Sequence, residues 1–154
     1  MKDIRIEKLA SSLLSHSINL QKGERILIEI IGMEAIPLGK ELIKQAENIG
    51  AIPFFNIIDY EIMREMLLNC TEEQMKIFAK HDVQRMKDMN AYIGIRASTN
   101  TAELNGVPVE KMEIYNKYYT LPVHFEERVK HTKWCILRYP NASMAQMSNM
   151  NTEE

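Results

Sequence analysis

The chain has 154 residues, 45% of them hydrophobic and 26% charged, a balance typical of one globular domain with an apolar core. Its 19 basic and 21 acidic residues leave a formal charge of -2 without a long block of either sign, which argues against nucleic acid and against an anionic membrane surface as partners. No segment has the apolar length of a signal peptide or a membrane span, so we expect a cytoplasmic protein.

The amino-terminal third of the chain predicts a helix and then one strand and helix unit. Apolar residues at three- and four-residue spacing predict an amphipathic helix near residues 3–19. The aliphatic run at 25–31 is typical of a strand buried on both faces of a parallel sheet. The helix that follows has Pro37 in its first turn, where a missing N–H costs nothing, and Gly50 at its end.

The middle of the chain repeats this pattern. Residues 52–58 predict a second strand, and Pro53 indicates either the start of that strand or an edge of the sheet. Helical patterns fill 60–89, and Thr71 is a predicted N-cap that divides them into two helices. A third strand is predicted over 91–95.

A long connection and a fourth strand complete the predicted sheet. Pro108 opens a helix that we expect to be interrupted or kinked near Pro122 before it resumes to about Lys130. Residues 133–137 predict the last strand. Alternating strands and helices of these lengths predict an α/β fold, a doubly wound, mostly parallel sheet of about four strands with helices on both faces.

The carboxyl-terminal residues have the pattern of a further helix. Met144, Met147 and Met150 recur at helical spacing within 141–154, and no cap or closing turn follows them. We therefore expect 3–140 to form an N-terminal α/β domain and 141–154 to begin a helix that leads to another domain.

Several common catalytic and cofactor motifs are missing from the sequence. His124 and His131 would lie roughly 10 Å apart along one helix, too far to share a metal ion, and neither HExxH nor CxxC occurs. The turn after the first strand has one glycine and the acidic Glu34 in place of a GxGxxG phosphate loop. Ser98 has no GxSxG elbow around it.

One carboxylate, that of Glu29, lies inside the apolar first strand. An isolated buried charge is too costly to persist, so Glu29 needs an ion-pair partner. Arg25 and Arg96 are the candidate partners. A structural ion pair is favoured over a catalytic role, because no second acid, metal or nucleophile is predicted beside this carboxylate.

Polar residues near the predicted carboxyl ends of the strands form the candidate site. In an open parallel sheet these ends meet at one edge, and ligands bind there at a topological switch point. We expect a ligand or the cleft of another domain to face this edge, whose members are Glu34, Asp59, Arg96, Asn100 and Arg138. The pattern assigns no catalytic, cofactor-binding or metal-ligating residue.

Four segments resemble, in their order and spacing, the metal-dependent aminopeptidases of the aminopeptidase T and aminopeptidase S type; they lie at 20–28, 50–53, 103–111 and 134–146. The resemblance implies a homodimeric two-metal peptidase that removes N-terminal residues from peptides. Its divalent ions, such as zinc or cobalt, would be bound by Glu, His and Asp of a second, catalytic domain. None of those motifs has a matching position here, so this chain would help wall the active-site cavity and would be inactive alone.

A different interpretation of the same residues is a complete small binding or interaction module, flavodoxin-like in shape and without catalysis. Such a module would use the same strand-end edge for a small anion or a partner protein. An exposed methionine stripe at 141–154 would favour a helix that continues into another domain, or one used for self-association, over this second interpretation.

Overall fold

The computed structural model describes residues 3–153 and shows a four-stranded parallel sheet with helices on both faces. Residues 1, 2 and 154, the last of which belongs to the predicted segment 141–154, lie outside the described residues. The strands follow the order β2-β1-β3-β4, and they are β1 Arg25–Ile31, β2 Ile52–Ile58, β3 Ala91–Arg96 and β4 Lys133–Arg138. The predicted doubly wound α/β fold is therefore confirmed.

The helices connect these strands and follow the last of them. Within residues 3–153 the α-helices α1 to α7 are, in order, Ile4–Ser12, Ile36–Ile49, Tyr60–Leu68, Glu72–Lys87, Val109–Tyr115, Val129–His131 and Ala142–Met147. Two segments are π-helical, Leu13–Ser17 after α1 and Asn116–Arg128 between α5 and α6, and Met33–Ala35 forms a 3-10 turn before α2. Each of these described helices is too short or too polar to pass through a lipid bilayer.

The ends of α2 and α4 follow the capping signals in the sequence. Pro37 lies in the first turn of α2, and Gly50 closes that helix with a left-handed φ of 86°, which glycine adopts without strain. Thr71 caps α4, because its hydroxyl accepts from the N–H of Gln74 at 3.1 Å while the Gln74 side chain accepts from the N–H of Thr71. The predicted division of the helical stretch at Thr71 is confirmed.

Pro53 lies in the edge strand β2, which is one of its two predicted positions. The preceding residue, Ile52, directs its N–H to the carbonyl of Glu24, beside β1, at 2.8 Å. Because successive residues of a strand direct their N–H groups to opposite sides, Pro53 lies where no β1 carbonyl requires a donor. The missing N–H therefore costs the sheet no hydrogen bond.

Two apolar cores lie on the two faces of the sheet. The first packs α1 and α2 against the sheet, and its buried members include Leu14, Ile28, Leu38, Leu42 and Ile93. The second packs α3, α4 and the π-helical segment against the opposite face, and its buried members include Leu27, Leu67, Met75, Met86 and Val123. Strand β1 contributes side chains to both cores, so its predicted burial on both faces is confirmed.

The predicted interruption near Pro122 takes the form of a π-helical segment. Helix α5 passes directly into Asn116–Arg128, which contains Pro122, and this segment passes into α6. π-helical turns are rare and often occur at functional sites. The segment buries Val123 and Arg128 against the sheet.

Helix α7 begins where the sequence predicts and ends earlier. Asn141 caps it, because the Asn141 side chain accepts from the N–H of Met144 at 3.0 Å. The helix ends at Met147, and Asn149 adopts a left-handed φ of 54°, a conformation that asparagine tolerates. Met150 therefore lies beyond the helix, and the predicted stripe of three methionines on one helix is wrong at its third member.

Candidate functional site

The carboxyl ends of β1 and β3 form the topological switch point of the sheet. Strands β2 and β3 lie on opposite sides of β1 in the sheet. The loops that follow β1 and β3 therefore run in opposite directions and leave a crevice between them. These loops approach closely at Gly32, which has a φ of 93°. A Cβ atom at this position would lie 2.7 Å from the carbonyl carbon of Ala97, so the close approach requires glycine.

The five predicted edge residues line two adjoining cavities at this end of the sheet. The first cavity, of about 170 Å³, is lined by Glu34, Asp59 and Asn100. The second cavity, of about 140 Å³, is lined by Arg96 and Arg138. The structure thus brings these side chains to one edge, and their orientation towards a substrate cleft stays a prediction.

The first cavity, called the acidic cavity below, is lined by four carboxylate side chains, those of Glu34, Asp59, Glu61 and Glu103. Asp59 caps α3, and its Oδ1 accepts from the N–H of Glu61 at 2.8 Å. Asn100 holds the loop after β3 in place by donating from Nδ2 to Glu103 Oε2 at 2.8 Å. Glu34 is exposed, and its carboxylate has no partner within residues 3–153.

The second cavity, called the basic cavity below, is built on neighbouring strands. Arg96 ends β3 and Arg138 ends β4, and the parallel register pairs these two residues directly. Ser98 and Thr101 contribute hydroxyl groups, and Tyr60 and Ser98 line both cavities. In the part of the chain that the structure describes, neither guanidinium forms an ion pair or a hydrogen bond.

Helix α7 forms one side of the basic cavity. Asn141, its N-cap, donates from Nδ2 to the carbonyl oxygens of Ala97 and Ser98 at 3.3 and 3.0 Å. These bonds attach the start of α7 to the loop after β3. The side chain of Met144 on α7 therefore lines the cavity opposite the strand ends.

A buried ion pair lies deeper between the sheet and the π-helical segment. Glu29 and Arg128 are 4% and 5% exposed, and Arg128 Nη2 lies 3.2 Å from Glu29 Oε2. The hydroxyl of Tyr92 donates to Glu29 Oε1 at 2.8 Å, and Asn56 Nδ2 donates to Glu29 Oε2 at 3.2 Å. The carboxylate is therefore buried and fully paired, which is the arrangement of a structural ion pair.

The predicted partners of Glu29 are wrong. Arg25 lies at the amino end of β1 and donates to a backbone carbonyl there, and Arg96 lies in the basic cavity. The true partner, Arg128, is 99 residues away in sequence, so no local pattern connects it to Glu29. Val123 and Arg128 share the buried side of their segment only because it is π-helical, so the ordinary helical period of 3.6 residues does not identify Arg128.

Burial and the ion pair shift the pKa values of nearby groups. Burial raises the pKa of the Tyr92 hydroxyl, and the negative charge of Glu29 raises it further. Burial opposes the charge of Arg128, but attraction to Glu29 leaves the pKa of that guanidinium above its ordinary value. Burial, followed by repulsion from Arg128 and Arg96, lowers the pKa of His124, so this imidazole is neutral at pH 7.

The described residues do not fit a catalytic metal site. Within residues 3–153, no three His, Cys, Asp or Glu side chains lie close enough to share an ion. His124 lies edge-on to the rings of Phe125 and Trp134, at centroid distances of 5.1 and 5.9 Å. His131 ends α6.

Comparison with known proteins gives one family. The family model described as thermophilic metalloprotease (M29) matches residues 2–154. Among solved structures, wild-type AmpT from Thermus thermophilus is similar in fold, with a TM-score of 0.66 and 22% identity over 91% of this chain and 37% of that chain. The CurK enoyl reductase structure has a TM-score of only 0.41, with 16% identity over 92% of this chain and 44% of that one. No curated protein sequence matches significantly.

Proposed function

The chain belongs to the M29 family of thermophilic metalloproteases, and from this premise we propose that it is the N-terminal domain of a cytoplasmic two-metal aminopeptidase. The parent enzyme releases N-terminal amino acids from peptides. Its divalent ions, such as zinc or cobalt, are held by Glu, His and Asp of a second domain and supply Lewis-acid chemistry when bound. The chain spans 37% of the length of AmpT, which leaves room in a parent protein for that domain.

The role proposed for this chain is to help wall the active-site cavity. The observation that carries it is the pair of adjoining cavities at the switch point, whose lining includes the five predicted edge residues, and these come from the carboxyl ends of all four strands and the loops that follow them. Such an edge is where an open α/β sheet presents groups to a ligand. On this proposal 141–154 leads to the catalytic domain, the parent is a homodimer that binds neither nucleic acid nor membranes, and the isolated chain is inactive.

A second candidate function is a complete small binding module of flavodoxin-like shape. The strand order β2-β1-β3-β4 favours it, because flavodoxin-like sheets share this order and bind their ligand at the β1 and β3 switch point. This candidate needs no catalytic partner domain. It predicts ligand binding by the 154-residue chain without peptide hydrolysis by any longer product of the same gene.

The complete product of the natural gene provides the test. Loaded with zinc or cobalt, it should release leucine from a leucyl tripeptide, whereas the 154-residue chain should bind no metal stoichiometrically and release none. Replacement of the exposed Glu34 by Trp would place an indole at the acidic cavity and should lower kcat/KM of the complete enzyme about tenfold by misplacing the peptide.

A matched variant separates this effect from a general one. Glu47→Trp adds the same indole at an exposed position near the end of α2, at the opposite end of the sheet, and should leave kcat/KM unchanged. Equal kcat/KM values for Glu34→Trp and Glu47→Trp would show that the acidic cavity does not face the active-site cleft. A complete, metal-loaded protein without peptidase activity would leave the binding module as the better function.

A further inference from the structure

The basic cavity contains two positive charges that the described protein does not neutralise. Arg96 and Arg138 are directly paired across β3 and β4, so their Cα atoms are separated by roughly the 4.8 Å spacing of adjacent strands. Both side chains therefore leave the sheet on the same face. Like charges directly opposite each other on a sheet are destabilising, and no carboxylate within residues 3–153 compensates these two. This arrangement is the one expected where an anion binds.

From this geometry we infer that Arg96 and Arg138 bind the C-terminal carboxylate of a short peptide. The guanidinium groups present planar forks of donors that match the two oxygens of a carboxylate. The Thr101 hydroxyl, which has only the sulfur of Met147 at 4.0 Å as its partner within residues 3–153, adds a donor on the same cavity wall, whereas the Ser98 hydroxyl already donates to the carbonyl of Asn100 at 3.0 Å. Met144 and the ring of Tyr60 provide apolar contact for the last side chain of the peptide. The identity of the ligand as a peptide rests on the proposed function.

The neighbouring acidic cavity decides which anion fits. The acidic cavity adjoins the basic cavity at Tyr60 and Ser98, which line both, and four carboxylates line the acidic cavity. A phosphate dianion or a polyanion in the basic cavity would be repelled by them, whereas a single carboxylate on a molecule with a positive amino group would not. A volume of about 140 Å³ holds a carboxylate and its adjacent atoms, not a folded segment of another protein. A zwitterionic short peptide satisfies both conditions.

This pocket would make the parent enzyme sensitive to the far end of its substrate. A short peptide whose carboxylate reaches the two arginines gains binding, and the same peptide with an amidated C-terminus loses it. The domain would thus select short free peptides without contacting the bond that is cleaved.

Two measurements test the pocket. The first titrates the 154-residue chain with Leu-Gly and with Leu-Gly amide and follows backbone amide shifts by NMR. We expect the free peptide to shift the backbone amide resonances of residues around Arg96 and Arg138. It should bind about tenfold more tightly than the amide, because the amide cannot form the charge-assisted hydrogen bonds. Equal affinity for both peptides, or tighter binding of inorganic phosphate at the same residues, would overturn the inference.

The second measurement uses the complete enzyme and the ratio of kcat/KM for the free peptide to kcat/KM for its amide. Arg138→Gln should lower this ratio about tenfold, and Arg138→Lys should restore part of it because it keeps the charge and loses the fork. Arg5→Gln, on the exposed surface of α1, should leave the ratio unchanged. An unchanged ratio in Arg138→Gln overturns the inference.

The two proposals fail separately in these measurements. If the 154-residue chain binds the free peptide selectively but the complete protein has no peptidase activity, the carboxylate pocket is supported and the aminopeptidase function is rejected. If the complete protein is an active peptidase and the free-peptide to amide ratio of kcat/KM is the same in wild type and Arg138→Gln, the aminopeptidase function is supported and the carboxylate pocket is rejected.

Discussion

The two faces of the sheet are built differently. The face covered by α1 and α2 is filled by aliphatic residues and alanines, and no charged side chain is buried there among the described residues. The face covered by α3, α4 and the π-helical segment also contains the Glu29–Arg128 pair and the Tyr92 hydroxyl, and Tyr60 of α3 lines both strand-end cavities. The first face stabilises the fold by burial alone, whereas the second combines burial with charge.

This difference teaches where a ligand can be accommodated. The exposure of polar side chains on the second face increases towards the strand ends. The Glu29–Arg128 pair is buried, Tyr60 is half-buried, and Arg96 and Arg138 are exposed. Polar groups are thus present at every depth on that side, and the outermost of them, the guanidinium groups of Arg96 and Arg138, form no ion pair within residues 3–153. The comparison predicts that the two faces respond differently to substitution and to pH.

The largest effect is expected when the buried pair is broken. Arg128→Met leaves the Glu29 charge buried without its partner and should lower the free energy of unfolding by about 4 kcal/mol, measured by urea denaturation. Glu29→Leu with Arg128→Met removes both charges and should be close to wild type, since Arg128 Nε is itself buried without a hydrogen bond. Equal losses in the single and double variants would show that packing, not charge, holds this face.

A somewhat smaller effect is expected on the aliphatic face. Leu42→Ala on α2 removes a fully buried side chain and should lower the free energy of unfolding by about 3 kcal/mol through lost burial and a residual cavity. Leu121→Ala, at a position that is 47% exposed, makes the same chemical change and should cost less than about 1 kcal/mol. A loss at Leu42 that varied with salt concentration would contradict the assignment of this face to burial alone.

Local sequence signals predict most of the fold because their physical causes are local. The strand at 25–31, the left-handed Gly50 and the capping box at Thr71 each depend on residues within one turn or one strand, and the structure confirms all three. The sequence also predicts that the five edge residues lie near one another, because parallel strands end at a common edge. Their separation into an acidic and a basic cavity depends on how α3 and α7 pack, which no sequence pattern specified.

The wrong predictions concern contacts between distant parts of the chain. Glu29 has a cationic partner, as predicted, but that partner is neither of the two candidate arginines, Arg25 and Arg96. Its actual partner comes from a π-helical segment whose wider turns place Arg128 over the sheet, and a period of 3.6 residues does not describe that segment. Single-sequence periodicity therefore cannot locate this pair.

The smallest effect on the free energy of unfolding is expected from His124, and it appears as a dependence on pH. Its pKa is lowered by burial and by Arg128 and Arg96, with Glu29 opposing them, so the folded state disfavours the protonated imidazole. Below the ordinary pKa of 6.5 the unfolded chain binds more protons than the folded one, and the free energy of unfolding should therefore fall as pH decreases. His124→Gln should reduce this slope in urea titrations at several pH values, while His131→Gln, at the end of α6, should keep it. An identical slope in wild type and His124→Gln would place the pH sensitivity elsewhere, and a steeper slope in His124→Gln would mean that Glu29 dominates the electrostatics of this face.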